Sequence, residues 1–318
     1  MDVFRLLPPL DQRSPCALTI GNFDGVHRGH QAVLAALNER ARELNVRSCV
    51  LTFEPHPREF FAQTNPDAIK APARILTERD KLDALAAHGV DRVCIAHFNA
   101  SLASLPAEDF IQQIIVDGLQ ARYLLIGDDF RFGAKRRGDW AMLEQAASAF
   151  GFGLSRLETF SEDGDRISSS LVRDALAIGD FARTEKLLGR PYSMTGHVIH
   201  GRKLGRELGF PTLNIRIPYP NPALSGVFIV QVHGIADKPW PAVASLGTRP
   251  AVEADGKLLL EVHLFDFSGD LYGKLVQVQF VHRLREERNY PDLESLTTQI
   301  HLDAQQARSH FGLADRSR

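Results

Sequence analysis

Two histidines three residues apart, His27 and His30, follow a glycine-rich turn in the run Gly21-Asn22-Phe23-Asp24-Gly25-Val26-His27-Arg28-Gly29-His30. Imidazole donates hydrogen bonds and can carry charge near neutral pH, so a pair on one turn suits charge developing on phosphate oxygens. The flanking residues predict how the pair is held. Residues 17–20 are β-prone, the turn is tight, and a helical pattern starts at His30. A strand, turn and helix start aim several backbone N–H groups and the positive end of a helix dipole at one point, which is an anion site. On a first helical turn, His27 and His30 at i and i+3 share a face. The plain alternative is a polar helix cap.

Three further clusters invite the same question. At residues 166–173, Arg166-Ile167-Ser168-Ser169-Ser170-Leu171-Val172-Arg173, three hydroxyls precede a helical pattern with Arg173 one turn in. That is a second anion-ready helix start, or ordinary N-capping. Residues 201–214 are glycine-rich and basic, with Gly201, Lys203, Gly205 and Gly209 as candidates for phosphate contact. They do not match the P-loop pattern, and a surface loop is the equal alternative. At the end of this stretch Thr212 and Asn214 alternate at a strand start. They would share a face, where a hydroxyl and an amide oxygen can complete a hard-cation shell with ATP oxygens. Glu261 interrupts the apolar run 258–265, and parity alone leaves open whether it faces water or a site.

The elements that must position these residues fall into two parts. The chain has 318 residues, 44% hydrophobic and 24% charged, which predicts about two domains. Through residue 185 strand and helix alternate. Strand patterns at 47–53, 93–97, 123–127 and 153–157 are separated by helical patterns that include 77–87 and 107–116. This predicts an α/β domain, a parallel sheet with helices on both faces and ligands at the strands' carboxyl ends. Three such ends carry polar or turn-forming residues: 21–30, 54–57 and 127–133. A helical pair at 171–177 and 180–188 stops at Gly189-Arg190-Pro191, and the expected domains are 1–185 and 186–318. Six short β-prone runs then follow, at 192–199, 213–217, 226–232, 242–246, 258–265 and 275–284. They predict a small antiparallel barrel, with an amphipathic helix at 293–311 covering one side.

Composition excludes other classes. A net charge of −2 with signs mixed argues against a nucleic-acid partner. Cys16, Cys49 and Cys94 lie in or beside apolar runs without C-x-x-C spacing, as buried reduced thiols do. No stretch approaches the roughly 18–20 apolar residues of a membrane helix, and the N-terminus lacks a signal-peptide pattern. No membrane partner is expected, and the cytoplasm is the expected compartment.

The His-x-Gly-His order resembles the nucleotidyltransferase superfamily signature. The longer pattern is narrower. With the G-N-F-D-G-V prefix, the G-x-D-F-x-F-G loop at 127–133, I-S-S-S-x-x-R at 167–173, P-T-x-N at 211–214, Gly247-Thr248-Arg249-Pro250 and E-x-H-x-x-D-F at 261–267, the whole chain resembles the prokaryotic bifunctional riboflavin kinase/FMN adenylyltransferases, or FAD synthetases. The resemblance implies a Rossmann-like nucleotidyltransferase domain followed by a six-stranded riboflavin kinase barrel with a terminal helix. It implies that ATP with Mg²⁺ phosphorylates riboflavin to FMN and ADP, and that ATP then adenylylates FMN to FAD and pyrophosphate. Only these small molecules are partners.

The implied roles are specific. His27 and His30, with Gly21, Asn22, Phe23 and Gly29, would serve adenylyl transfer, while Ser168, Ser169, Ser170 and Arg173 contact the triphosphate. Glu261 would be the kinase base, Thr212 and Asn214 would meet magnesium, and Asp129, Arg131 and Arg249 would touch flavin. Departures are small: Ser170 replaces a frequent threonine, Leu213 is bulkier than usual, and Ala251 stands where threonine is common. Cytidylyl, pantetheine-phosphate and nicotinamide-mononucleotide transferases share His-x-Gly-His, and a barrel that only binds flavin is a further reading. The G-N-F-D-G-V prefix argues against the former, and joint retention of Thr212, Asn214 and Glu261 against the latter.

Overall fold

A strand buried on both faces reads as an unbroken apolar run, and Cys16–Ile20 (β2) is such a strand. Cys16, Leu18 and Ile20 enter one core layer, whereas Ala17 joins Leu37, Ala41, Tyr123 and Leu125 in the opposite layer. The computed structural model describes residues 1–65, 69–157, 161–162, 165–201, 209–247 and 258–314. Lys203, Gly205 and Arg249 lie outside the described residues.

The chain divides into two compact units. One comprises Met1–Pro72 with Lys81–Ser168, and the other Ala73–Asp80 with Ser169–Arg318. The first holds a six-stranded sheet built from β1 (Asp2–Arg5), β2, β3 (Arg47–Glu54), β4 (Arg92–His97), β5 (Ala121–Gly127) and β6 (Gly153–Leu157). All pairings in it are parallel, in the order β1-β4-β3-β2-β5-β6. Helix α1 (Arg28–Glu43) packs Leu37 and Ala41 on one face. Phe110, Ile111 and Ile115 cover the other, together with Leu143 and Ala146 of Trp140–Phe150. The segment expected as one helix over 107–116 is α-helical only at Ala107–Asp109 and becomes π-helical over Phe110–Val116. Strand order reverses between β2 and β5, which opens a crevice at their carboxyl ends. A short antiparallel pair, β7 (Ser161–Glu162) and β8 (Asp165–Arg166), follows the sheet.

The second unit contains the antiparallel barrel. Its strands are β9 (Ser193–Ile199), β10 (Leu213–Ile217), β11 (Gly226–His233), β12 (Trp240–Gly247), β13 (Leu258–Leu264) and β14 (Leu275–Arg285). They close in the order β10-β13-β12-β11-β14-β9. Leu258, Leu260, Val262 and Leu264 are the buried parity of β13 and fill the interior. The C-terminal helix, Leu293–His310, lays Ala304 and Ala307 on Val227, Ile229 and Val243, the outward parity of β11 and β12. Phe181, from the preceding helix Phe181–Leu188, packs its ring on Phe228 and Phe280 of the barrel.

Candidate functional site

The first site forms where β2 ends at the crevice. Gly21 N–H still donates to Leu51 O at 3.0 Å, and the chain then turns through Phe23 (φ 49°), Gly25 (φ 94°) and Val26 (φ 42°). Positive φ strains Phe23 and Val26, so the surroundings must hold them. Both side chains are buried, Gln31 Nε2 donates to Val26 O at 2.9 Å, and Thr52 Oγ1 donates to Asn22 O at 3.2 Å.

His27 is the N-cap of α1 rather than a residue of its first turn. Its Nδ1 accepts the His30 backbone N–H at 3.3 Å, which leaves Nε2 as the proton-bearing nitrogen of the neutral ring. The two imidazoles are stacked, centroids 3.7 Å apart and planes 18° apart. Phe23 lies against His30 at 4.9 Å. A Cβ on Gly29 would sit 3.2 Å from the His27 ring and 3.3 Å from Ile167 O, so the glycine of His-x-Gly-His permits a close approach. Asn22 Oδ1 is buried and accepts no hydrogen bond among the described residues.

The other strand ends add aromatic and charged groups. Beyond β3, His56 caps the helix Pro57–Thr64, with Glu59 completing a capping box. Phe53, Phe60 and Phe61 each set a ring against Phe98, with centroids 5.6–5.8 Å apart, and Phe61 is 37% exposed. Sequence reasoning noted residues 54–57 but missed this quartet, whose signal was Phe60-Phe61 beside two strand ends. Beyond β5, Arg131 pairs with Asp139 at 3.4 Å, and Asp139 caps the helix Trp140–Phe150. Asp129 Oδ1 lies 3.7 Å from the position a Gly127 Cβ would take.

The serine run is split between the units. Ser168 closes the first, while Ser169 and Ser170 open the helix Ser169–Ile178 of the second. Arg173 Nε donates to Ala73 O at 2.6 Å within that second unit.

The second site lies on the barrel's outer wall. Asn214 of β10 stands directly opposite Glu261 of β13, and Glu261 directly opposite Ser245 of β12. These three form one outward row, because Leu260 and Val262 point inward. The outward reading of Glu261 and its place in a polar site are therefore compatible. Asn214 is buried, and a Cβ on Gly201 would overlap its amide. Thr212 precedes β10, and Pro211 O accepts a hydrogen bond from His263 Nδ1 at 2.9 Å. Burial pushes the His263 pKa below its ordinary value, opposed by that backbone hydrogen bond. The described part of the glycine loop retains Gly201 and Gly209 (φ 84°).

Comparison with known proteins decides the family. Residues 10–171 match the FAD synthetase family model, and residues 188–311 match the riboflavin kinase model. A bifunctional riboflavin kinase/FMN adenylyltransferase of Pseudomonas fluorescens is 50% identical over 294 residues, 92% of each chain. The chain belongs to the bifunctional riboflavin kinase/FMN adenylyltransferase family. An Escherichia coli K12 member of this family is 46% identical, over 94% of this chain and 93% of its own. A solved Streptococcus pneumoniae structure titled a macrolide-efflux protein is 26% identical with a TM-score of 0.73, covering 97% of this chain and 99% of its own. Among the described residues no helix is long and apolar enough to cross a membrane. Against this family's pattern, the first site lies at the carboxyl end of β2 and the second on the barrel wall.

Proposed function

We propose that the chain makes FAD from riboflavin in two ATP-dependent steps, with residues 186–318 phosphorylating riboflavin and residues 1–185 adenylylating FMN. The observation that carries this reading is the presence of two separate polar constellations, each built on a family motif: the stacked His27–His30 pair and the Asn214–Glu261 row.

In the kinase step, Glu261 takes the proton of riboflavin's primary hydroxyl. The freed oxygen attacks the γ-phosphorus of ATP, the bond to the β–γ bridging oxygen breaks, and ADP leaves. Magnesium fits this site: Thr212 and Asn214 offer hard oxygen donors, and the missing Cβ of Gly201 leaves the Asn214 amide its room. Bound with ATP, the ion neutralises phosphate charge. Gly201, Lys203, Gly205 and Gly209 hold the nucleotide's phosphates, and Arg249 contacts flavin.

Adenylyl transfer needs no enzyme nucleophile, because FMN brings an anionic phosphate oxygen. That oxygen attacks the α-phosphorus, and the bond to the α–β bridging oxygen breaks to release pyrophosphate. With Nδ1 committed to the cap, His27 presents Nε2–H to the α-phosphate beside His30, and the N–H groups of 21–23 and Gly29 stabilise the same charge. Ser168, Ser169, Ser170 and Arg173 hold the leaving phosphates. The edge-to-face aromatic cluster around Phe98 offers apolar surface for the flavin ring, and Asp129 and Arg131 contact flavin through polar groups. Both steps belong to the cytoplasm, in keeping with three buried free thiols.

Incubation with riboflavin, ATP and Mg²⁺ followed by product separation tests the reading. FMN and FAD are the expected products. FAD formed only from supplied FMN would reduce the barrel to a binding module, and absence of any flavin product would overturn the reading.

A further inference from the structure

A second carboxylate adjoins the Glu261 row. Ser245 Oγ donates to Glu287 Oε1 at 3.2 Å, although 42 residues separate the two. Space for that carboxylate exists because residue 247 is glycine, where a Cβ would overlap it. The approach is anchored from the far side. Arg285 Nε and Nη2 bind both oxygens of the buried Asp303 on the C-terminal helix at 2.7–3.0 Å, which fixes the exit of β14 two residues before Glu287.

A serine hydroxyl has one proton. Ser245 stands directly opposite Glu261, and cross-strand neighbours hold their Cβ atoms about 4.5–5.5 Å apart, within reach of a hydroxyl–carboxylate bond. Were the Ser245 proton donated to Glu261, it would take one of the carboxylate's acceptor sites on the side that faces β12 and compete there with the riboflavin hydroxyl. In the structure the proton goes to Glu287, and among the described residues Glu261 accepts no hydrogen bond.

Resting on the assignment of Glu261 as kinase base, we infer that Glu287 is a positioning residue for the kinase reaction: it draws the Ser245 proton away and keeps the base's oxygens open to the substrate hydroxyl. Ser245 gives no atom to the reaction. Its hydroxyl is a competitor that Glu287 neutralises.

The test is a rescue experiment on the full chain. Glu287→Gln removes the charge that holds the Ser245 proton and adds an amide that can donate to Ser245 Oγ, which releases the hydroxyl proton towards Glu261, so riboflavin phosphorylation falls about tenfold in kcat with little change in the KM for ATP. Adding Ser245→Ala removes the competing proton, and the double variant should recover at least about fivefold over Glu287→Gln. A structural role predicts the reverse, since a second cavity cannot repair the first. A double variant no faster than Glu287→Gln, or a Glu287→Gln enzyme with parental kcat, overturns the inference. Thermal unfolding of each variant monitors the fold. Should Glu287→Gln not fold, the double variant carries the test alone: kcat within about threefold of the parent supports the inference, and kcat as low as that of Glu261→Gln overturns it. Glu261→Gln is measured alongside, and full kinase activity there would refute the base assignment itself.

Discussion

His27 has two duties that compete for one ring. Its Nδ1 caps α1, and in the proposed reaction the opposite nitrogen serves the phosphate. His30 stacks on that ring at 3.7 Å and so shares its orientation. His30→Ala should slow conversion of FMN to FAD at least about tenfold while riboflavin phosphorylation stays near normal, measured on one preparation. Equal loss of both would refute two separate sites. Gly29→Ala should have a similar selectivity. The added methyl meets Ile167 O, a backbone atom, at 3.3 Å, and displacement of the imidazoles by a few tenths of an ångström is expected to lower adenylyl transfer about tenfold.

At the scale of elements, β13 links the proposed base to the proposed cation ligands. Glu261 and His263 share its outer face, and His263 grips Pro211 O, which fixes the start of the Thr212–Asn214 pair. The same histidine makes the barrel pH-sensitive. Burial lowers its folded pKa below the ordinary 6.5, so its contribution to stability is present above about pH 6.5 and is lost as pH falls through the folded value. Thermal unfolding of the kinase region should move to lower temperature between pH 7.5 and about 5.5, and His263→Gln should flatten that slope.

These elements differ in how far their sequences disclose them. The strands of the inner sheet and of the barrel lie within a few residues of their apolar patterns, because burial on one or both faces imposes the pattern directly. β1 was not legible: Asp2–Arg5 is an edge strand with three of its four residues exposed, so no periodicity marks it. The helix Pro57–Thr64 was hidden because Pro55 and Pro57 read as breakers, whereas proline at a helix's first position is favourable. His27 was placed one position too far into its helix, since spacing cannot distinguish a cap from a first turn. Ser245 and Glu287 meet only through strand register and the exit of β14, which no local pattern encodes.

At the scale of the whole molecule, the two candidate sites are built on different motifs, and a mixture of two single-site variants tests their independence. His30→Ala and Glu261→Gln chains, each impaired in a different step, should together convert riboflavin to FAD through released FMN faster than either alone. Failure of the mixture, with each remaining activity intact, would require FMN to stay on one chain.

The segment 73–80 has a consequence for how such a protein can be divided. Arg74 N–H donates to Asn221 O, its carbonyl accepts from Ala223, Tyr192 Oη donates to Ile75 O at 2.8 Å, and Thr195 N–H donates to Asp80 Oδ2. Tyr192 is fully buried, so Tyr192→Phe should cost about 1–2 kcal/mol in denaturant unfolding of the second unit. The chain thus leaves its first unit, supplies the eight residues Ala73–Asp80 to the second and returns, although the second unit's main body begins only at Ser169. The two units are interleaved in the polypeptide rather than strung end to end. A gene fragment beginning at residue 186 encodes every barrel strand but omits an octapeptide to which the barrel's first strand and Tyr192 are bonded, so a module exchanged between homologues by one crossover would inherit its neighbour's version of that peptide.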